Sequence, residues 1–212
     1  MKDAFGLSVP EGWKDVCDPS RCALIIYDMQ NGIVPQIAEG QAVLKRCEQL
    51  LSAARTAGFR IFFTRHLFLP NRATGVGQLR RAMIWQRQSD PAKTRPFITQ
   101  GSTAWQIVPE LAPREDEVVI DKITMSAFEG TFLNIAMRDA RLEAFIIAGI
   151  ALEVGIEPTV RHGLDLNYLP IVVTDACGSK TAEVKERSLA TLTDTGEVMT
   201  CNTTELLAAM QH

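Results

Sequence analysis

Apolar positions in this chain gather into short unbroken runs and helical stripes, and the two alternate from Cys22 onward. Cys22–Asp28 (CALIIYD) is too brief for a helix and ends on a polar residue, which predicts a strand buried on both faces. From Gln41 to Gly58 the residues Val43, Leu44, Cys47, Leu50, Leu51 and Ala54 recur at steps of three and four, predicting an amphipathic helix capped by Gly58. Arg60–His66 (RIFFTRH) returns as a strand, completing a β-α-β unit with a right-handed crossover. Leu67–Ser102 breaks the rhythm with Pro70, Pro91, Pro96, several arginines and an exposed Trp85, the pattern of a lid or binding loop. The alternation then resumes. A short helix is expected over Trp105–Leu111, a strand over Glu117–Asp121, a helix over Thr131–Arg141 and a strand over Ala144–Gly149. A helix over Glu157–Leu166, a strand over Leu169–Asp175, a helix over Ala182–Thr193, an edge strand over Glu197–Thr200 and a helix over Thr203–Met210 complete the chain. Six strands alternating with helices predict an α/β fold, a doubly wound and mainly parallel sheet with helices on both faces, as one domain over residues 1–212.

Composition narrows what such a fold can serve. The 212 residues are 46% hydrophobic with a net charge of −3, and no basic run exceeds the Arg80-Arg81 pair, which argues against tracking a phosphate backbone. No stretch approaches the roughly 20 apolar residues of a membrane span and the start has no apolar signal region, so a cytoplasmic location is expected. Five cysteines, odd in number and without a C-x-x-C pair, predict reduced thiols and no disulfide framework. His66, His162 and His212 show no metal-ligand spacing, and neither a metal nor another cofactor is implied.

In an open parallel sheet the ligand crevice lies beyond the carboxyl ends of the strands. Three such ends carry unusual residues here: Asp28, Lys122, and the Gly149-Ile150-Ala151 turn followed by Gly155. An acid, an amine and an open helix start can converge there. A cysteine or serine nucleophile would be expected at the start of that helix, and glycine stands in its place.

The segments Leu24–Ile33 (LIIYDMQNGI), Asp121–Leu133 (DKITMSAFEGTFL), Ala148–Thr159 (AGIALEVGIEPT) and Val173–Ser179 (VTDACGS) together resemble the isochorismatase-like hydrolase family over nearly the whole chain from Cys22. The resemblance implies a Rossmann-like three-layer sandwich. It also implies a catalytic triad of aspartate (Asp28), lysine (Lys122) and a cysteine at the position of Gly155, with a cis Ile150–Ala151 bond. The vinyl-ether hydrolysing branch of the family is similar to this chain in having glycine there; its aspartate protonates the enol-ether carbon and water captures the oxocarbenium ion. Met125 departs from the tyrosine usual in that branch. Around the triad positions, Ile33, His66, Met125, Phe128, Ile150, Ala151 and Glu153 are the candidates for substrate contact.

Each candidate also has a plainer reading. Asp28 can be a structural turn and Lys122 a solvated lysine, although a carboxylate at a buried strand end needs a partner. Glu153 and Glu157 serve as helix N-terminal charges or position water. Cys177 is the cysteine expected nearest the crevice, and its motif reads as scaffold. His66 and the arginines Arg65, Arg72, Arg80, Arg81, Arg87 and Arg95 include candidates to grip a substrate carboxylate. His162 reads as surface or packing. The leading expectation is thiol-free hydrolysis of a small anionic molecule, in its most concrete form a vinyl ether. The alternatives are an amidase in which Asp28 and Lys122 activate water, and a silent metabolite-binding protein. A homo-oligomer, a dimer or an assembly of dimers, is expected from the family and from the long loop.

Overall fold

The computed structural model describes residues 1–210, so His212 lies outside the described residues. An antiparallel hairpin of β1 (Lys2–Ala4) and β2 (Leu7–Val9) opens the chain, turning through Phe5 and Gly6, both at positive φ. That pair of left-handed residues is the signature of a tight hairpin turn, and the hydropathy pattern gave no hint of it. A four-residue helix α1 (Trp13–Val16) leads into the main sheet.

The main sheet holds β3 (Cys22–Tyr27), β4 (Arg60–His66), β5 (Val118–Lys122), β6 (Ala144–Ile150), β7 (Leu169–Gly178) and β8 (Met199–Cys201). Its spatial order is β5-β4-β3-β6-β7-β8, and every neighbouring pair is parallel. Alternate residues of β3 feed two separate cores. Leu24 and Ile26 pack with Phe63, Ile146 and Ile171 against the first helix layer, α2 (Gly40–Ala57) and α7 (Thr203–Met210). Ala23, Ile25 and Tyr27 pack with Phe62, Phe145 and Val172 against α4 (Leu133–Asp139), α5 (Glu157–Asp165) and α6 (Ala182–Thr193). Each fully buried aliphatic or aromatic side chain contributes about 1.5–3 kcal/mol, so burial on both faces fixes β3 at the centre. The chain winds outward from β3 to β5, then returns to β6 on the other side of β3. The order therefore reverses between β3 and β6, and a crevice opens beyond their carboxyl ends. Gly149 permits their close approach: at φ +135° it lies against the Tyr27 backbone, where a Cβ would be 2.8 Å from the Tyr27 carbonyl carbon.

The expected cap on α2 is present, while other boundaries shift. Gly58, in the left-handed conformation, caps α2 through its N–H on the Ala54 carbonyl. Trp105–Leu111 is not a helix but two isolated 3₁₀ turns, Thr103–Trp105 and Pro109–Leu111, with Ile107 bridging Gln30 as a scrap of antiparallel strand. Pro109 is the cause: it donates no N–H and holds Val108 extended. The excursion over 67–102 contains a true helix, α3 (Val76–Trp85), and its own small core of Phe68, Ala82 and Ile98. Trp85 is accordingly not exposed but packs beside Phe68, Phe97 and His66. Among the described residues no helix is long and apolar enough to cross a membrane.

Candidate active site

Asp28 follows β3 at the switch point with φ +48°, a left-handed value that aspartate tolerates better than most residues and that turns its carboxylate across the strand ends. Its N–H is held by the carbonyl and the hydroxyl of Thr64, at 3.2 and 3.1 Å. The Thr64 hydroxyl in turn donates to Asp28 Oδ1 at 2.6 Å, while Lys122 Nζ donates to Oδ2 at 2.7 Å. Both carboxylate oxygens are thus engaged. The pair is buried, Asp28 being 4% and Lys122 3% exposed. Burial pushes the Asp28 carboxyl above the usual carboxylate range despite the pull of Lys122 and Thr64, and burial lowers the Lys122 ammonium despite Asp28.

Asp28 lies on the wall of a cavity of about 470 Å³. Ile33, His66, Met125, Ile150, Ala151, Glu153 and Gly155 line it as well, so the structure gathers these sequence candidates at one place. Lys122 does not reach the wall; it sits behind Asp28, donating also to the Thr124 carbonyl at 3.2 Å and lying 4.3 Å over the Tyr27 ring. Phe128 is displaced altogether. It is stacked on Tyr168 and packed against Phe145 in the second core, because the Ser126-Ala127-Phe128 segment turns inward after β5.

The Ile150–Ala151 bond is cis, and a π-helical turn over Leu152–Ile156 follows it before α5 begins. Gly155 N–H is committed to the Ala151 carbonyl at 3.0 Å, so it cannot also serve a substrate oxyanion. A side chain at 155 has no room. A Cβ built there would overlap the Tyr27 phenol, 2.5 Å from Cε1 and closer still to Cζ and the hydroxyl oxygen. The phenol is locked in that position, its hydroxyl donating to the Met125 carbonyl. Glu153 stands in the first turn of this π-helix, and its two oxygens accept from Ser179 Oγ at 2.6 Å and from the Lys180 N–H at 3.1 Å, tying the turn to the start of α6. Glu157 pairs with Arg161 one turn along α5.

His66 cannot grip a carboxylate as a cation. Burial, with Lys122 and Arg81 nearby, lowers its pKa to about 3, outweighing a weak opposite pull from the Thr124 backbone. Among the described residues neither ring nitrogen has a hydrogen-bond partner, whereas Gln30 clasps the His66 backbone N–H at 2.7 Å and carbonyl at 3.0 Å. Of the arginines named from the sequence, Arg87 lines the cavity. Arg65 is paired with Asp121 and stacked on Trp105, Arg95 is folded onto the carbonyls of Ala92 and Thr94, and Arg81 faces a separate groove beyond Met125. His162 lines that groove too, its Nδ1 3.0 Å from Ser126 Oγ. Cys177 points into the core with its thiol toward the Ile147 carbonyl, and burial pushes its pKa to about 12. The other four cysteines are buried as well, and none of the five lines the cavity. Among the described residues no cluster of three or more histidine, cysteine or carboxylate side chains could hold a metal.

The model of the isochorismatase domain matches residues 22–203. The chain belongs to the isochorismatase family. It is 30% identical over 176 residues to the ureidoacrylate amidohydrolase RutB of Serratia proteamaculans (strain 568), a match covering 74% of this chain and 70% of that one. RutB of Pantoea ananatis (strain LMG 20103) is 27% identical over 173 residues, with 74% and 69% covered. In fold the chain is similar to a cysteine hydrolase from Pseudomonas syringae pv. phaseolicola 1448A, with a TM-score of 0.79 at 23% identity and 91% and 93% of the two chains covered. An isochorismatase family protein from Desulfovibrio vulgaris subsp. vulgaris str. Hildenborough gives a TM-score of 0.76 at 22% identity, covering 90% and 98%.

The protein is thus a hydrolase of the isochorismatase family, with a buried acid–amine pair on its cavity. Three further residues of this isochorismatase-family site, Tyr27, Thr64 and Gln30, were not singled out by the sequence reading. Thr64 and Gln30 do leave a trace, as polar residues beside otherwise apolar strand ends. Tyr27 leaves none, since an aromatic residue in a buried strand is ordinary.

Proposed function

We propose that this hydrolase cleaves the C–N bond of a small amide or ureido compound with water activated directly by Asp28, without a thiol intermediate. The carrying observation is the cavity wall itself: a carboxylate held by Lys122 and Thr64, and no thiol beside it. In this reading ionised Asp28 takes a proton from water while the oxygen attacks the carbonyl carbon. The oxyanion develops against the Ala151–Val154 turn, and the proton passes from Asp28 to the departing nitrogen, giving an acid and an amine. Lys122 keeps its own proton throughout and holds the carboxylate in place. Arg87 and Lys180 on the cavity wall provide positive charge for an anionic end of the substrate. The likeness to ureidoacrylate amidohydrolases supports the choice of bond.

One observation favours a second reading, protonation of a vinyl ether: burial raises the Asp28 carboxyl, which suits a proton donor. A panel of ureides, amides and an enol ether separates the two. Ammonia or amine release, insensitive to cysteine alkylation and reduced about 10²–10⁴-fold by Asp28→Asn, is expected. Turnover of the enol ether alone selects the second reading, and binding without any turnover selects a silent metabolite-binding protein.

A further inference from the structure

Tyr27 makes two contacts that meet in one side chain. Its phenol fills the volume that a side chain at Gly155 would need, and its ring carries the Lys122 ammonium 4.3 Å from the centroid. The ring cannot swing away, because the hydroxyl is fixed on the Met125 carbonyl and the residue is buried in the second core. A cation over a desolvated aromatic face is attracted by the ring quadrupole. Here that attraction acts on an ammonium whose pKa burial lowers. The other groups around Lys122 are Asp28 just after β3, His66 beside it on β4, the Thr124 carbonyl after β5, and Arg81 from α3. Asp28 favours the ammonium, Arg81 opposes it, and His66 is neutral at ordinary pH.

We propose that Tyr27 is a positioning residue of the hydrolytic site, its ring keeping Lys122 charged against Asp28 while its phenol closes the slot beside Gly155 to any nucleophilic side chain. The ring therefore acts through Lys122 on the ionisation of Asp28. The closed slot rests on the thiol-free reading above; the hold on Lys122 does not.

The experiment is a pH titration of the Lys122 side chain, followed through its ¹³Cε shift, in the wild type, Tyr27→Phe and Tyr27→Leu. Tyr27→Phe keeps the ring and removes the hydroxyl; Tyr27→Leu removes the ring. The Lys122 midpoint is expected to fall by about half a pH unit or more in Tyr27→Leu and to stay within about 0.2 unit of wild type in Tyr27→Phe. The basic limb of kcat/KM should move with it on any substrate turned over. An unchanged midpoint in Tyr27→Leu, or an equal fall in both variants, overturns the proposal. The titration needs no turnover, so failure of the hydrolase reading leaves a distinct signature: the Lys122 midpoint shifts as expected in an inactive protein.

Discussion

At the scale of single residues, the site is assembled from groups whose burial opposes their charge, and His66 shows the consequence most plainly. With its folded pKa near 3 against an ordinary 6.5, the unfolded chain binds a proton between those values that the folded chain does not. Stability is therefore at its full value above about pH 6.5 and declines as pH falls toward 3, by about 1.4 kcal/mol per unit in the steep part. Urea unfolding at pH 7 and pH 4 should show His66→Gln losing about 3 kcal/mol less than wild type over that interval. Equal losses would mean that the folded protein carries a charged His66. Asp28 and Lys122 were legible in the sequence because each ends a strand with a charge after an apolar run. Their partner Thr64 was not, because its bond to Asp28 depends on β3 and β4 being neighbours, a fact of topology that no local pattern records. Phe128 misled for the opposite reason. It shares the Lys122 motif, yet two residues of turn carry it from the cavity into the core.

At the scale of elements, the end of β3 and the turn before α5 are fitted to one another, and that fit decides what Gly155 means. Restoring a thiol by Gly155→Cys forces the new side chain into the Tyr27 phenol, an overpacking expected to cost about 1–3 kcal/mol and to leave the thiol unreactive. Tyr27→Val in the same chain vacates the slot. The double variant should lose much less stability than the two single losses added together, and it should gain one iodoacetamide-reactive cysteine while the five native thiols stay protected. Strict additivity in urea melts, with labelling of the Gly155→Cys single variant, would show that the two residues do not share the space. Element type was readable wherever periodicity was long, as in α2, and wherever an apolar run was bounded, as in β3 and β6. It failed over 105–111, where a proline and the bond from the Asn31 N–H to the Gln106 carbonyl hold the chain extended against its own pattern. It failed also over 76–85, where prolines and arginines on either side concealed a helix.

At the scale of the whole molecule, alternation of strands and helices was sufficient to predict a doubly wound sheet, while the reversal of order between β3 and β6 came only from the structure. That reversal puts the cavity beside α3, which exposes two apolar side chains, Val76 at 79% and Ile84 at 69%, on either side of the exposed Arg80. Ile84 also lines the cavity, beside Arg87. Exposed apolar side chains at the rim of a site gain from a partner that covers them, and a two-fold dimer achieves this with one self-complementary patch of about 800 Å² per subunit. Light scattering at micromolar protein should therefore report a dimer or an assembly of dimers. Ile84→Arg should lower the mass toward monomer and reduce kcat/KM together, since the rim is uncovered in the same step. Phe5, fully exposed on the separate β1–β2 hairpin, supplies the control: Phe5→Ser should leave both mass and turnover unchanged. A wild-type monomer, or Phe5→Ser dissociating the assembly while Ile84→Arg does not, would move the contact away from the cavity and leave the site complete within one chain.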